Sequence, residues 1–294
     1  VMILKRKRER IFYFLLIPSS LVVLTFMSLL SALVYSSIPA LGRFGLSIYT
    51  RNVWDPVNDQ YGGLAAIYGT VVTGVLSVAI SAPFATAIAV FVNDISPKKI
   101  KSFIINLSDL LAAFPTVVYG FWGLLSLGPF LSHTLFAFLD SLFGLHRITN
   151  GPSILLASIV LAIMITPFAS SLLREVYSQV PKSVDEAVYS LGLGKWELVV
   201  LKLSYIKRAF LGAYALAFGR AVGETVAVSL TIGNILNISP NLLDPGYTIP
   251  SLIISQFGTA YGIQYNVMFA LALFLVVIGI AFVIISRLIL RVRL

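Results

Sequence analysis

Arg220 and Glu224 stand four residues apart in the stretch GRAVGET, inside an apolar run of the chain. At that spacing two side chains share one face of a helix. An ionisable residue in the membrane interior costs at least ~2.5–3.5 kcal/mol, so its presence there points to a polar cargo or a charged partner. Arginine stays charged at any working pH, and its planar fork donates two parallel hydrogen bonds, which suits a tetrahedral oxyanion. The expected chemistry is an anion path in which Arg220 meets the cargo, Glu224 holds the guanidinium and Thr225 lies alongside. The bland alternative is a buried structural pair, or a charge answering one on a partner subunit.

Other chemistries find little support. The chain has no cysteine, and its two histidines, His133 and His146, lie in one connection without further ligands at metal-binding spacing. They read as ordinary loop histidines, and no metal site is expected. No apolar run holds a histidine or cysteine that could serve an intramembrane enzyme. GLGKW lacks the leading glycine and the Ser/Thr of a phosphate-binding loop, so ATP is not expected to bind this chain.

The elements that must position Arg220 follow from composition. Of 294 residues, 58% are hydrophobic and 11% charged, well below the roughly 25% charged residues of soluble domains. Six apolar runs, near 11–35, 64–92, 103–127, 154–173, 209–233 and 267–290, are each long enough to cross a ~30 Å hydrocarbon core. The predicted fold is one all-α integral membrane domain over 1–294. The first run follows a basic cluster but is too long for a signal-peptide core, so it is read as retained. Gly62-Gly63 breaks the chain before the second run. Pro and Gly within the runs are expected to be tolerated. The short run at 249–257 cannot span and reads as re-entrant or interfacial.

The net charge of +9 sits at the ends of apolar runs rather than on one polar face, which argues against a nucleic-acid partner. With six crossings, 17 of the 21 Lys and Arg fall on the side holding the termini and the connections 93–102 and 174–208. Only Arg43, Arg51 and Arg147 fall opposite, and the remaining one is Arg220. The positive-inside rule therefore places both termini in the cytoplasm.

The connection 174–208 carries its own pattern. Ser183 and Glu186 form S-x-x-E, which predicts a capping box, and Gly192 suits a left-handed helix end. A second helical stretch, 195–207, leads to the fifth run. The residues leave two readings open: a bland interfacial linker held at lipid headgroups by Lys195, Lys202, Lys207 and Arg208, or a docking element for a partner on the inner side.

EAVYSLGLG at 186–194 resembles the EAA loop of ABC importer permeases, where a short helix docks in a groove of the ATPase subunit. The resemblance implies that role for Ser183, Asp185, Glu186, Ala187, Leu191 and Gly192. Where the family has Leu-Pro about a dozen residues on, this chain has Ser204-Tyr205. GRAVGETVAVSLTIGN, DPGYTIPSLI, LAAFPTVVYGFWGL, IYGTVVTGVLSVAISAP and VLAIMITPFASSLLREVYSQVP are similar to segments of the phosphate-specific transport (Pst) permeases. The first two favour the PstC-type subunit of this MetI-like family.

The resemblance covers about the last three quarters of the chain. It implies a six-helix MetI-like type I importer permease, pairing with a homologous PstA-type permease and docking two ATPase subunits. ATP and Mg would be bound in those ATPases. Phosphate would arrive from an extracytoplasmic binding protein, and Arg220 and Glu224 take the places of the family's intramembrane pair. A permease for sulfate or molybdate, or a proton-coupled secondary anion transporter, is the competing expectation.

Overall fold

A computed structural model describes the backbone of residues 2–144 and 151–291, and the side chains of 16–144 and 151–288. His146 and Arg147 lie outside the described residues, as do the basic side chains at 5–10, 291 and 293.

The chain opens with the helix α1 (Met2–Phe44) and the single turn α2 (Ser47–Thr50). An antiparallel pair, β1 (Trp54–Asp55) and β2 (Gln60–Tyr61), precedes α3 (Leu64–Val90), which continues as a π-helical turn over Phe91–Ile95. Next come α4 (Lys98–Ala113), α5 (Thr116–Trp122) with a further π turn, α6 (Gly128–His133) and α7 (Leu135–Phe143). After these follow α8 (Ile154–Ser178), α9 (Lys182–Ser190) and α10 (Lys195–Val222). The last elements are α11 (Val226–Thr231), α12 (Ile249–Gln256) and α13 (Ile263–Arg291).

Packing is organised by α3, which lies along α8 and touches α10. Its buried stripe is made of small residues, among them Gly69, Thr73, Ser77, Ser81, Ala85 and Ala89. Such side chains let helix backbones approach closely where no hydrophobic force drives association. The hydroxyls of Thr70 and Thr73 turn back onto carbonyls of the same helix, Ala66 and Gly69, at 2.7 Å each, while Ser81 accepts from the Thr166 hydroxyl of α8 at 2.9 Å. At Gly69 a Cβ would lie 1.9 Å from the Tyr247 carbonyl oxygen, so only glycine admits that strand of backbone. One residue on, Thr70 accepts from the backbone N–H of Ile249 at 2.9 Å, seating the start of α12.

The helix α13 packs on α1 and α10. On the same face as α12, the β1–β2 turn docks through Trp54, whose Nε1–H donates to Gln256 Oε1 at 2.8 Å. The short run at 249–257 holds the eight-residue helix α12, with the Thr248 side chain accepting from Ser251 N–H at 3.2 Å.

Among the described residues, four helices are each long and apolar enough to cross a membrane: Leu16–Phe44 of α1, Leu64–Ile95, α8 and Ile263–Leu288 of α13. The other two expected spans differ from the sequence reading. The run at 103–127 is not one straight helix, because α4 and the segment Thr116–His133 meet at 89°. Pro115 removes an N–H and drives the preceding Phe114 into extended backbone (φ −63°, ψ 138°). The carbonyl of Leu111, which a helical residue 115 would have paired, instead accepts the Tyr119 hydroxyl at 2.8 Å. Pro83 and Pro167, by contrast, lie inside uninterrupted helices, as expected.

The run at 209–233 is likewise not one helix. It begins inside α10, which starts at Lys195, and is broken after Val222. Where the family proline is replaced by Ser204-Tyr205, α10 passes through without interruption, since each residue there can still donate its backbone N–H. The first helix also runs beyond the predicted end at 35, to Phe44, where Ala40 and Leu41 join the cluster around Val267 and Leu271.

Candidate functional site

The break in α10 lies at Gly223–Thr225, within the charged motif. Arg220 occupies the last turn of α10, where a cation is favoured by the carbonyl end of the helix. It is exposed on the surface of this chain, with its guanidinium carbon 4.9 Å from the centroid of the Phe168 ring on α8. Glu224 is past the helix end, so the two charges do not share a helical face, and among the described residues no ion pair joins them. The half-buried Glu224 carboxylate instead accepts from the backbone N–H of Ala227 at 3.3 Å, at the start of α11. This corrects the expectation that Glu224 holds the guanidinium. The physical cause is Gly223, whose high cost in a helix interior allows the chain to leave α10 there.

Thr225 is half-buried, and its hydroxyl donates to the Gly223 carbonyl at 3.3 Å. It also borders a cavity of about 470 Å³ formed with Pro250, Ile253, Ile254, Phe257 and Leu275. The motif thus supplies an exposed cation beside an interrupted helix. Helix interruptions at membrane depth are tolerated where they line a cavity or are buried in protein.

The second group of predicted residues gathers on α9. Pro181, in extended backbone, occupies the N-cap, and no side chain caps the helix. Ser183 is therefore two residues too far in to form the predicted capping box with Glu186. At the other end Gly192 has φ +72°, with its N–H bonded to Tyr189 O at 3.0 Å and the Leu193 N–H to Val188 O at 3.2 Å. These are the paired bonds of a Schellman motif.

The two faces of α9 differ. Ser183, Glu186, Ala187, Leu191 and Gly192 are exposed, and apolar Tyr189 and Leu191 are 52% and 75% exposed. Val188 is buried. Asp185 turns inward, and its Oδ1 lies 2.9 Å from the Lys202 ammonium. Lys202 is consequently not a headgroup contact, as its placement among the basic residues had suggested. It is 6% exposed and also donates to Asp94 Oδ1 at 2.9 Å.

Phe168 and the Lys202–Asp94 pair were not singled out from the sequence. Asp94 is 108 residues from Lys202 in the chain, and no local pattern signals either contact.

Residues 83–292 match the family described as the binding-protein-dependent transport system inner membrane component. The chain belongs to this family. Within it, the chain is 38% identical over 280 residues to the "Probable phosphate transport system permease protein PstC" of Methanocaldococcus jannaschii, covering 91% of this chain and 89% of that protein. It is 36% identical over 291 residues to the phosphate transport system permease protein PstC of Xylella fastidiosa strain Temecula1, covering 95% and 90%. The corresponding Mesorhizobium japonicum protein is 37% identical over 258 residues, covering 84% and 79%. Among solved structures, the inward-facing MetNI methionine ABC transporter superposes with a TM-score of 0.52 at 16% identity, covering 78% of this chain and 94% of the other. This permease therefore has the MetI-like fold, with α3, α8 and α10 as its packed centre.

Proposed function

We propose that this permease is the transmembrane subunit of an ATP-driven phosphate importer and forms the phosphate path with a second, homologous permease of PstA type. Arg220 carries the reading. An arginine in an apolar run cannot face lipid cheaply, yet it is exposed on the isolated chain, and among the described residues its partner is the Phe168 ring. Its natural surroundings are a polar cavity closed by another subunit. In that cavity an always-charged fork binds an oxyanion, and relatives at 36–38% identity bear the name of phosphate transport permeases.

In this reading the chain crosses the cell membrane six times, counting the bent α4–α5 segment and the broken α10–α11 segment once each. Both termini lie in the cytoplasm, following the Lys/Arg asymmetry. The exposed face of α9 docks one of two ATPase subunits, which bind ATP and Mg, and an extracytoplasmic binding protein delivers phosphate. The test is uptake of labelled phosphate into vesicles holding the full complex, with ATP inside, sulfate as competitor and a proton ionophore as control. Uptake that requires ATP, persists with ionophore and resists sulfate is expected. Uptake that collapses with the ionophore and ignores ATP would identify a secondary transporter, and displacement by sulfate would identify a different cargo.

A further inference from the structure

The inner face of α9 joins a buried charge cluster as well as apolar contacts through Val184 and Val188. Lys202 on α10 is held between two carboxylates from different elements, Asp185 of α9 and Asp94 of the π-helical turn that ends α3, each at 2.9 Å. The second oxygen of Asp94 accepts the Tyr177 hydroxyl of α8 at 2.5 Å, and the Lys202 ammonium lies 5.6 Å from the centroid of the Tyr177 ring. Four elements thus meet at one ammonium. Asp94 and Lys202 are largely enclosed, at 13% and 7% side-chain exposure, while Asp185 is the open end at 36%.

This arrangement has a direction. Beyond Asp94, α3 runs to Gly74, where a Cβ would meet Phe218 at 2.9 Å and Val222 at 3.1 Å. Those residues belong to the end of α10 that presents Arg220. A buried charge that loses one partner is left uncompensated, so the ammonium and its carboxylates move together rather than separate. A π turn at a helix end, as at Phe91–Ile95, is a frequent feature of functional sites.

We infer that Lys202 is the positioning residue that passes displacement of α9 to α3, with Asp185 as its input and Asp94 as its output. The inference rests on the reading of α9 as the ATPase-docking helix. Arginine at position 202 keeps the charge and reach, whereas glutamine keeps approximate length without charge. Asparagine at position 185 keeps the shape of the input but removes its charge.

The experiment measures phosphate taken up per ATP hydrolysed in the reconstituted full complex, with ATPase co-purification quantified for each variant. Lys202→Gln and Asp185→Asn are each expected to lower the ratio by roughly threefold to tenfold, within the range of coupling changes produced by residues away from the ligands. The double variant should be no worse than Lys202→Gln alone, because both changes cut one link. Lys202→Arg should retain most of the native ratio. A native ratio in assembled Asp185→Asn complex overturns the inference, as does a loss of uptake that merely follows loss of assembled complex. If the native complex takes up no phosphate with ATP, the functional reading fails and the inference falls with it. Native uptake with unchanged ratios in the variants removes the inference alone.

Discussion

The Arg220 guanidinium carbon stands 4.9 Å from the centre of the Phe168 ring, while Glu224 bonds the backbone of the next helix. The cation is therefore oriented by an aromatic face, and among the described residues no carboxylate takes its hydrogen-bond donors. A ring under a guanidinium contributes about 0.5–1 kcal/mol at an exposed site and about 2 when desolvated. Phe168→Leu, which keeps an apolar side chain but loses the π face, should lower phosphate uptake by roughly threefold. Phe168→Tyr should stay near native. Equal losses in both variants would show that ring volume matters and the cation contact does not.

At Gly192 the backbone is left-handed (φ +72°), and a Cβ would meet nothing within 4 Å. The cost of a side chain there is conformational rather than steric, on the order of 1 kcal/mol for alanine and less for asparagine. Gly192→Ala should reduce ATPase co-purification several-fold, with Gly192→Asn intermediate. Full co-purification of the alanine variant would separate the helix end from the docking function.

The Tyr119 hydroxyl pairs the carbonyl that Pro115 leaves without its helical donor. Tyr119 is 7% exposed, so removal of the hydroxyl leaves Leu111 O with only the longer bond from the Phe114 N–H, at 3.4 Å, and costs about 1 kcal/mol. Tyr119→Phe should lower the thermal midpoint of the purified complex. A native midpoint would mean that the carbonyl finds another donor and the elbow does not depend on this bond.

Burial alone would pull the Lys202 pKa down, but the carboxylates of Asp185 and Asp94 outweigh it and raise it above the ordinary 10.5. A group whose folded pKa exceeds its unfolded value contributes fully below the unfolded pKa, and that contribution is lost as pH rises through the folded value. The contribution of Lys202 to stability should thus be constant from about pH 7 to about pH 10 and decline only beyond roughly pH 10.5. Thermal unfolding of native and Lys202→Gln complexes across that range checks this. A step near neutral pH that is absent from the variant would contradict it.

Much of the fold was legible because hydropathy and length mark α3, α8 and α13 directly, and Gly62-Gly63 marked the start of α3. The angle at Pro115 was not, since both sides of the elbow are apolar and the compensating Tyr119 hydroxyl acts through geometry. The same limit hid the break after Val222, because Gly223 can continue or end a helix and a four-residue spacing assumes the helix goes on. Ser204-Tyr205 posed the opposite problem, where a missing proline left α10 unbroken. For the candidate site, Arg220 and the outward residues of α9 stood out as charge in an apolar run and as a motif. Lys202 counted only as one more basic residue, since its burial depends on carboxylates contributed by distant parts of the chain.

The most direct test compares ATP-driven uptake of labelled phosphate by the native complex and by Arg220→Gln, with assembly checked in the same preparation. Loss of uptake in a fully assembled variant, against native uptake that sulfate does not displace, is the predicted result. Normal phosphate transport by assembled Arg220→Gln would contradict the account, placing the cargo path elsewhere and leaving Arg220 a structural charge.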